Sequence, residues 1–285
     1  MKIKLNSLWD SYELIDCGNL KKLERFSDII LIRPEISAKN IPKLSELKWK
    51  ELASAEFIET SKNFGSWHFL KDISNEWQMY YQNSPINIYC KLSFFSSKHL
   101  GIFPEQILNW EFLKNFSKQN KILNLFAYTG LTSIAATAVF EQLTHVDSIK
   151  KTVEKAKQNA RLSEIENIRF IIDDAQKFVL REIKRGNKYS GIILDPPQIG
   201  VGTKNEKWNF DEMIEDLLNN ITKILENKSF VIMNLYSSNL TDIVVNEYVQ
   251  KYFSRYKINF CEKVFGESKY GNTIDHGYFI RLIGK

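Results

Sequence analysis

Long hydrophobic runs are missing from this sequence. The longest, GIILDPP (191–197) and SFVIMNLY (229–236), fall well short of the roughly 20 apolar residues that a membrane-spanning helix needs. The opening residues MKIKLNSLWDSYELID lack the apolar core of a signal peptide, so a cytoplasmic protein without a membrane partner is expected. Cysteine is scarce as well. Cys17, Cys90 and Cys261 are odd in number, far apart, and show no CxxC or His-pair spacing. Neither a disulfide framework nor a metal site is suggested, and buried thiols are expected. A strong excess of one charge is absent: 39 basic against 34 acidic residues leave a formal net charge of +5. Such a balance permits a nucleic-acid partner without requiring one. The GxGxxG fingerprint of nicotinamide-binding folds is lacking too, which argues against a dehydrogenase.

What is present divides the chain in two. At 285 residues with 44% hydrophobic content, the chain can bury a full core and suits one large domain plus a smaller one. Residues 1–95 read as short strands rich in β-branched and aromatic residues: YELIDCG, RFSDIILIRP, WHFLKD, EWQMYY and INIYCKLSFF. They predict a small, mostly β N-terminal domain with Trp67, Trp77 and Tyr80 in its core. The stretch KLSELKWKELASAEFI (43–58) has apolar positions at mixed spacing, and a helix or two turns both fit it. With 13 basic and 12 acidic residues, residues 1–95 show no electrostatic bias.

From residue 96 to 285 strands and helices alternate. The strands KILNLF, LTHVDS, IRFIID, SGIILD, SFVIMNLY, KINFCEKVF and HGYFIRLI are separated by the helical stretches LTSIAATAVF, KKTVEKAKQNARL, AQKFVLREIKRG, FDEMIEDLLNNITKILE and LTDIVVNEYVQKYF. A repeated βα pattern implies a mostly parallel sheet covered on both faces. No helix of ordinary length separates the last two strands, so they predict an antiparallel hairpin at a sheet edge. The segment FGESKYGNTIDHGYF (265–279) reads as a flexible hairpin loop.

Polar residues recur where these strands end. NLFAYTG carries Asn124, Phe126, Ala127, Tyr128, Thr129 and Gly130 at the first strand-to-helix junction, where doubly wound sheets hold the adenosine part of a cofactor. Gly130 either lets the backbone approach a ligand or serves as a turn residue. Asp147, followed by Ser148, ends the second strand at the place where an acidic residue bonds both ribose hydroxyls; a helix cap is the other role open to either. Asp174, before Ala175, ends the third strand and suits an adenine amino group or, again, a cap, with Asp173 as competitor. After the fourth strand, LDPPQ (194–198) holds Asp195, Pro196 and Pro197 in a loop that can continue neither strand nor helix. The Asp195 carboxylate and the proline carbonyls would accept from an exocyclic amine or ring N–H of a planar substrate. Gln198, Lys204 and Trp208 follow, with Gly202 and Lys207, in a basic and aromatic stretch that suits phosphate and a base; a solvated loop with Trp208 over the core is the alternative.

NLFAYTG, VDS, DDA and ILDPPQIGVGTKNEKW together resemble the methyltransferase domain of bacterial 23S rRNA methyltransferases, the group with cytosine-5 and guanine-N7 enzymes. KHLGIFPEQILNW (98–110) is similar to that group's segment before the first strand, and the likeness covers about residues 96–285. The resemblance implies a Rossmann-like α/β fold with the seven-stranded sheet of class I S-adenosylmethionine-dependent methyltransferases, closed by the late hairpin. It implies S-adenosyl-L-methionine as cofactor, with Asn124, Tyr128 and Thr129 toward its methionine end and Phe103, Gln106 and Asn109 lining the cleft. It implies RNA, above all rRNA, as substrate and no metal. A protein or small-molecule acceptor and a non-catalytic RNA-binding module stay open beside that function, and oligomeric state is left undetermined. Residues 1–95 do not look like the PUA module of the cytosine-5 enzymes. Those enzymes also carry a cysteine after the fifth strand, where this chain has Tyr236, Ser237 and Ser238, so a nitrogen or oxygen acceptor is favoured over ring carbon.

Overall fold

The structure, a computed structural model, describes residues 1–61, 64–116, 119–203 and 205–285. The chain separates into two compact units: residues 1–83, 87–108 and 264–276 form the first, and residues 84–86, 109–263 and 277–285 the second.

The first unit begins with β1 (Lys2–Ile3), β2 (Tyr12–Gly18), β3 (Lys21–Phe26) and β4 (Ile29–Pro34). It continues through α1 (Glu46–Leu52), β5 (Ala55–Ser61), β6 (Phe64–Phe69), β7 (Glu76–Asn83) and β8 (Ile86–Ser93). Strands β2 to β6 form one sheet in sequence order, and β7 and β8 form a separate pair. Asn19 and Leu20, both with positive φ, make the two-residue turn between β2 and β3, the twist that suits a tight hairpin. The undecided stretch 43–58 resolves into α1, whose N-cap Ser45 accepts from Lys48 N, followed by β5. Trp49 on α1 packs against Ile15, Leu23 and Ile32 of the sheet. The aromatics expected in this core sit at its surface instead: Tyr80 is 54% exposed, and Trp67 and Trp77 are half-buried around Phe94. The cause is the short β7–β8 pair, which has too little surface to enclose them.

The second unit carries the alternating pattern. Its elements are α2 (Ile107–Leu113), shared at its start with the first unit, β9 (Gln119–Leu125), α3 (Leu131–Thr137), β10 (Phe140–Asp147), α4 (Lys150–Leu162) and β11 (Ile168–Ile172). They continue as α5 (Ala175–Lys184), β12 (Tyr189–Leu194), β13 (Ile199–Val201), β14 (Lys207–Asn209), α6 (Phe210–Thr222), β15 (Leu225–Leu235), α7 (Asp242–Phe253), β16 (Tyr256–Glu267) and β17 (Thr273–Gly284), of which residues 264–267 and 273–276 belong to the first unit. The sheet runs β16-β17-β15-β12-β9-β10-β11. Its β9, β10, β11, β12 and β15 are mutually parallel, and β17 is antiparallel to β15. This is the Rossmann-like seven-stranded sheet with a terminal hairpin that the sequence predicts; within the first unit β1 adds a short pairing to Phe265 and Gly266.

One face of the sheet, with Leu123, Leu125, Ile192, Leu194, Val231 and Met233, packs against Phe178 of α5, Leu217 of α6 and Val249 of α7. Each such side chain contributes roughly 1.5–3 kcal/mol when fully buried. Gly191 has a packing reason: a Cβ there would lie 2.3 Å from the Phe230 ring, which stacks on Phe140. α3 stops at Thr137, three residues short of the predicted helix, because Phe140 is drawn into β10 beside β9. The segment expected to be flexible is tied down. Asn272 Nδ2 donates to the carbonyls of Cys17 (2.7 Å) and Ile41 (2.8 Å), and Lys269 N donates to Leu14 O (2.9 Å).

Candidate cofactor and substrate site

Strand register decides the site. Leu125 of β9 pairs with Val146 of β10 and with Leu194 of β12, and Asp147 of β10 pairs with Ile172 of β11. The loops beginning at Phe126, Ser148, Asp173 and Asp195 therefore leave one rim of one sheet, at the carboxyl ends where open α/β sheets bind ligands.

The first loop is wound tightly, with positive φ at Phe126, Tyr128 and Gly130. Ala127 N donates to Val146 O (3.1 Å) and Tyr128 N to Asp147 Oδ2 (2.9 Å), so the loop is fixed to β10. Gly130 caps α3 at φ +83°, and a Cβ would stand 2.8 Å from Ala156 Cβ on α4. The glycine thus serves the turn and the approach of α4. Asn124 is buried; its Nδ2 donates to Ser133 Oγ (2.9 Å), which bonds His145 Nδ1 (3.0 Å). Burial holds the His145 imidazole down to about 3, so it is neutral in the folded protein. Thr129 is buried and its carbonyl accepts from Asn159 Nδ2 (3.0 Å). These polar groups stiffen the loop from beneath.

Asp147 organises the neighbouring turn. Oδ1 accepts from Ile149 N and Thr152 Oγ1, both at 2.9 Å, while Oδ2 accepts from Tyr128 N. Burial pushes its carboxyl above the usual range, against the downward pull of these three hydrogen bonds. A carboxylate has about four acceptor positions. Three are taken, which leaves one acceptor position, on Oδ2. Asp173 N donates to Asp147 O (3.0 Å), joining the third loop to the second, and Asp173 is ion-paired with Arg181. Asp174 is the N-cap of α5: Oδ1 accepts from Lys177 N (2.9 Å), with Ala175 opening the helix. Oδ2 takes no part in that cap.

At the fourth loop Asp195 is half-buried, Pro196 buried, and Pro197 and Gln198 exposed. Trp208 is 5% exposed, packs on Phe126 at 4.8 Å between ring centroids, and donates from Nε1 to Pro197 O (2.6 Å). Its indole therefore pins the fourth loop to the first and occupies one of the two proline carbonyls assigned to substrate. Ser148 O accepts from Thr203 N (3.1 Å) and Oγ1 (2.8 Å), which lays the β13–β14 connection against the β10–α4 turn. Thr203 and Thr152 escaped the sequence reading. The spacing DSIKKT, with a hydroxyl five residues after the carboxylate, was the available signal for Thr152; nothing local marks Thr203. Lys204 lies outside the described residues, and Lys207 is exposed.

Phe103 and Gln106 belong to the first unit. Phe103 is half-buried 5.4 Å from the His99 ring, and Gln106 is buried in a 3₁₀ turn. Asn109, in the second unit, is buried, donates from Nδ2 to Asn234 Oδ1 (2.7 Å) and accepts from Arg281 Nε (3.3 Å). After β15, Ser237 Oγ and Asn239 Nδ2 bond the two oxygens of Asp211. Cys17 and Cys90 are buried, and Cys261 sits partly buried in β16, its thiol pushed up by burial, Asp242 and Glu262. A thiol held protonated is a poor nucleophile.

Residues 105–257 match the family model described as Conserved hypothetical protein 95. A solved S-adenosylmethionine-dependent methyltransferase from Agrobacterium tumefaciens is 30% identical, with TM-score 0.89 over 100% of this chain and 93% of that one. The chain belongs to this family and to the class I S-adenosylmethionine-dependent methyltransferases. Among curated relatives, ribosomal RNA large subunit methyltransferase I of Aeromonas salmonicida is 31% identical over 101 residues, 34% of this chain and 26% of that protein. Ribosomal RNA large subunit methyltransferase K/L of Pseudoalteromonas translucida is 30% identical over 161 residues, 55% of this chain and 22% of that protein. The chain thus spans about a quarter of each of these relatives. The rim fits the family's cofactor: Asp147 retains an acceptor position, Asp174 retains Oδ2, and the loop 126–130 is preset by its own hydrogen bonds. Among the described residues no helix is long and apolar enough to cross a membrane.

Proposed function

We propose that the chain transfers the methyl group of S-adenosyl-L-methionine to a nucleobase nitrogen or oxygen in RNA, most specifically rRNA, in the cytoplasm. The common rim of Phe126, Asp147, Asp174 and Asp195, set by strand register, is the observation that carries this reading. The names of the ribosomal RNA methyltransferase relatives supply the substrate class. Bound cofactor supplies a sulfonium methyl that is already electrophilic. Asp147 would hold a ribose hydroxyl and Asp174 the adenine amino group, with Tyr128 and the loop around it shaping the methionine end. Asp195 and the Pro196 carbonyl would orient the acceptor N–H or O–H, and Asp195 would take the proton as the new bond to carbon forms. Alignment of this kind removes much of the barrier to a bimolecular transfer. Exposed Gln198 and Lys207, with Lys204, would meet substrate. Trp208 would act through the loop it pins. Residues 1–95 would serve recognition of the substrate, with residues 96–285 as the catalytic domain.

Mass spectrometry of digested RNA from cells with and without the protein tests the reading. One methylated nucleoside should vanish from rRNA in the deficient cells and return on incubation with protein and cofactor. RNA unchanged in every fraction would remove the substrate assignment. Calorimetry should also show S-adenosylhomocysteine binding and no NAD binding; the reverse would reject the cofactor.

A further inference from the structure

The first unit contains a cavity of about 400 Å³ that no step above uses. That size lies within the range of small-ligand sites, roughly 300–1,000 Å³. Its apolar walls come from Ile32, Leu44 and Trp49, and its polar lining includes Lys21, Lys43, Lys50 and Glu56.

A buried carboxylate builds the wall. Asp16 is fully buried, and its oxygens accept from Cys17 N (2.9 Å), Lys43 N (3.3 Å), Leu44 N (2.8 Å) and Trp49 Nε1 (3.1 Å). Taking a carboxylate out of water is costly unless hydrogen bonds compensate, so four donors on one group mark a segment that the fold holds in a single position. Trp49 and Leu44 of that segment pack on the sheet, while Ile36, Ile41 and Leu47 are 77%, 80% and 83% exposed. Gly18 lets it close against β2, since a Cβ there would stand 2.4 Å from Pro42 N. The wall thus combines core packing through Trp49 and Leu44 with an exposed, charged lining.

The polar lining has a defined chemistry. Glu56 is 5% exposed; Oε1 pairs with Lys21 Nζ (2.7 Å) and Oε2 with Lys50 Nζ (3.0 Å). Each oxygen retains an acceptor position and each ammonium retains donors. Lys43 adds a third exposed ammonium. Apolar walls receive a flat ring, a fixed carboxylate receives an exocyclic amine or ring N–H, and ammonium groups receive a phosphate. A nucleotide carries all three, whereas an acidic peptide brings anions without the ring donors.

We propose that this pocket takes one unstacked nucleotide of the RNA substrate, with the base against Leu44 and Trp49, a base N–H on Glu56 and the phosphate on Lys43 and Lys50. Single-stranded RNA is read in this manner, by splayed bases bonded on their edges. The proposal rests on the RNA reading for the ligand's source, and its test separates the two.

The test uses the full chain, with AMP, GMP, CMP, UMP and inorganic phosphate as probes. Binding is followed by calorimetry and by the indole N–H resonance of Trp49. At least one nucleotide should shift that resonance and bind about tenfold or more tighter than phosphate, as expected for one added polar contact with the base. The double substitution Lys43→Ala with Lys50→Ala should weaken it by about tenfold or more, and Glu56→Gln should reorder preference among the four bases while phosphate binding is kept. S-adenosylhomocysteine affinity should be unchanged in both variants, which shows that the chain is folded. With RNA as methyl acceptor, the double variant should raise KM about tenfold and keep kcat. No shift at Trp49 with any nucleotide, or nucleotide affinity unchanged in the double variant, overturns the proposal. So does RNA methylation with unchanged KM, which leaves the proposed function standing. Nucleotide binding lost in the double variant, with no RNA accepting methyl, supports the pocket and overturns the function instead.

Discussion

Asp147 and Asp16 each fix a stretch of backbone, one in each unit, and they do it differently. Asp147 is half-buried and accepts three hydrogen bonds from residues 128 to 152. Asp16 is fully buried and accepts four, three of them from residues 27 to 33 positions further along. The first retains an acceptor position for a ligand; the second is saturated and acts only by holding a wall. A carboxylate's unused lone pairs, more than its burial, separate a group with room for a ligand from one that only supports.

The largest expected effect falls on the chemistry of the rim alone. Asp195→Ala should lower methyl transfer by about 10²-fold or more, the usual contribution of a positioned general base, with cofactor affinity within about twofold. Single-turnover assays and calorimetry measure the two, and undiminished turnover would remove Asp195 from catalysis. Asp16→Ala should give the opposite pattern. Four N–H groups lose their acceptor, so stability to urea should fall by about 3 kcal/mol or more while the folded fraction keeps its cofactor affinity. Loss of cofactor binding without loss of stability would erase the distinction drawn above. Asp147→Asn lies between them: its amide cannot accept on both sides, so a stability loss of about 1–3 kcal/mol should accompany weaker cofactor binding. Gly130→Ala should cost about 1–3 kcal/mol, because φ +83° and Ala156 both oppose a Cβ.

The smallest effect compares one histidine from each unit, buried His145 and half-buried His99. Burial holds His145 down to about 3, and burial with Arg33 and Lys98 holds His99 down to about 4. Below about pH 6.5 the unfolded chain takes up protons that the folded chain refuses, so stability falls as pH drops from about 6.5 toward those values. The slope is at most about 1.4 kcal/mol per pH unit for each histidine. Urea midpoints for His145→Gln between pH 7 and 5 should change less steeply than for the native chain; an identical slope would mean that His145 protonates without penalty.

Much of the second unit was legible. Alternating apolar strands and amphipathic helices announced the parallel sheet, and strand ends announced Asp147, Asp174 and Asp195, because burial on both faces and the turn out of a sheet are local demands. Less legible were the tasks of the residues named. Trp208 could equally have faced substrate or core, and only the packing of Phe126 and the open Pro197 carbonyl settled it. The place of Asn124 beneath the loop depended on Ser133 and His145 meeting it from two other elements. In the first unit the aromatic stretches read as core, yet Tyr80 lies outside, since a two-stranded pair encloses little.

From the sequence alone came the two-part division of texture, the βα order, the terminal hairpin and the strand-end carboxylates, all of which follow from periodicity along a few neighbouring residues. Tertiary structure alone decided which carboxylate is saturated and which retains room, and that Asp16 reaches across to Trp49. Those outcomes depend on donors brought together from distant positions, and hydrogen-bond capacity is filled in space, not along the chain.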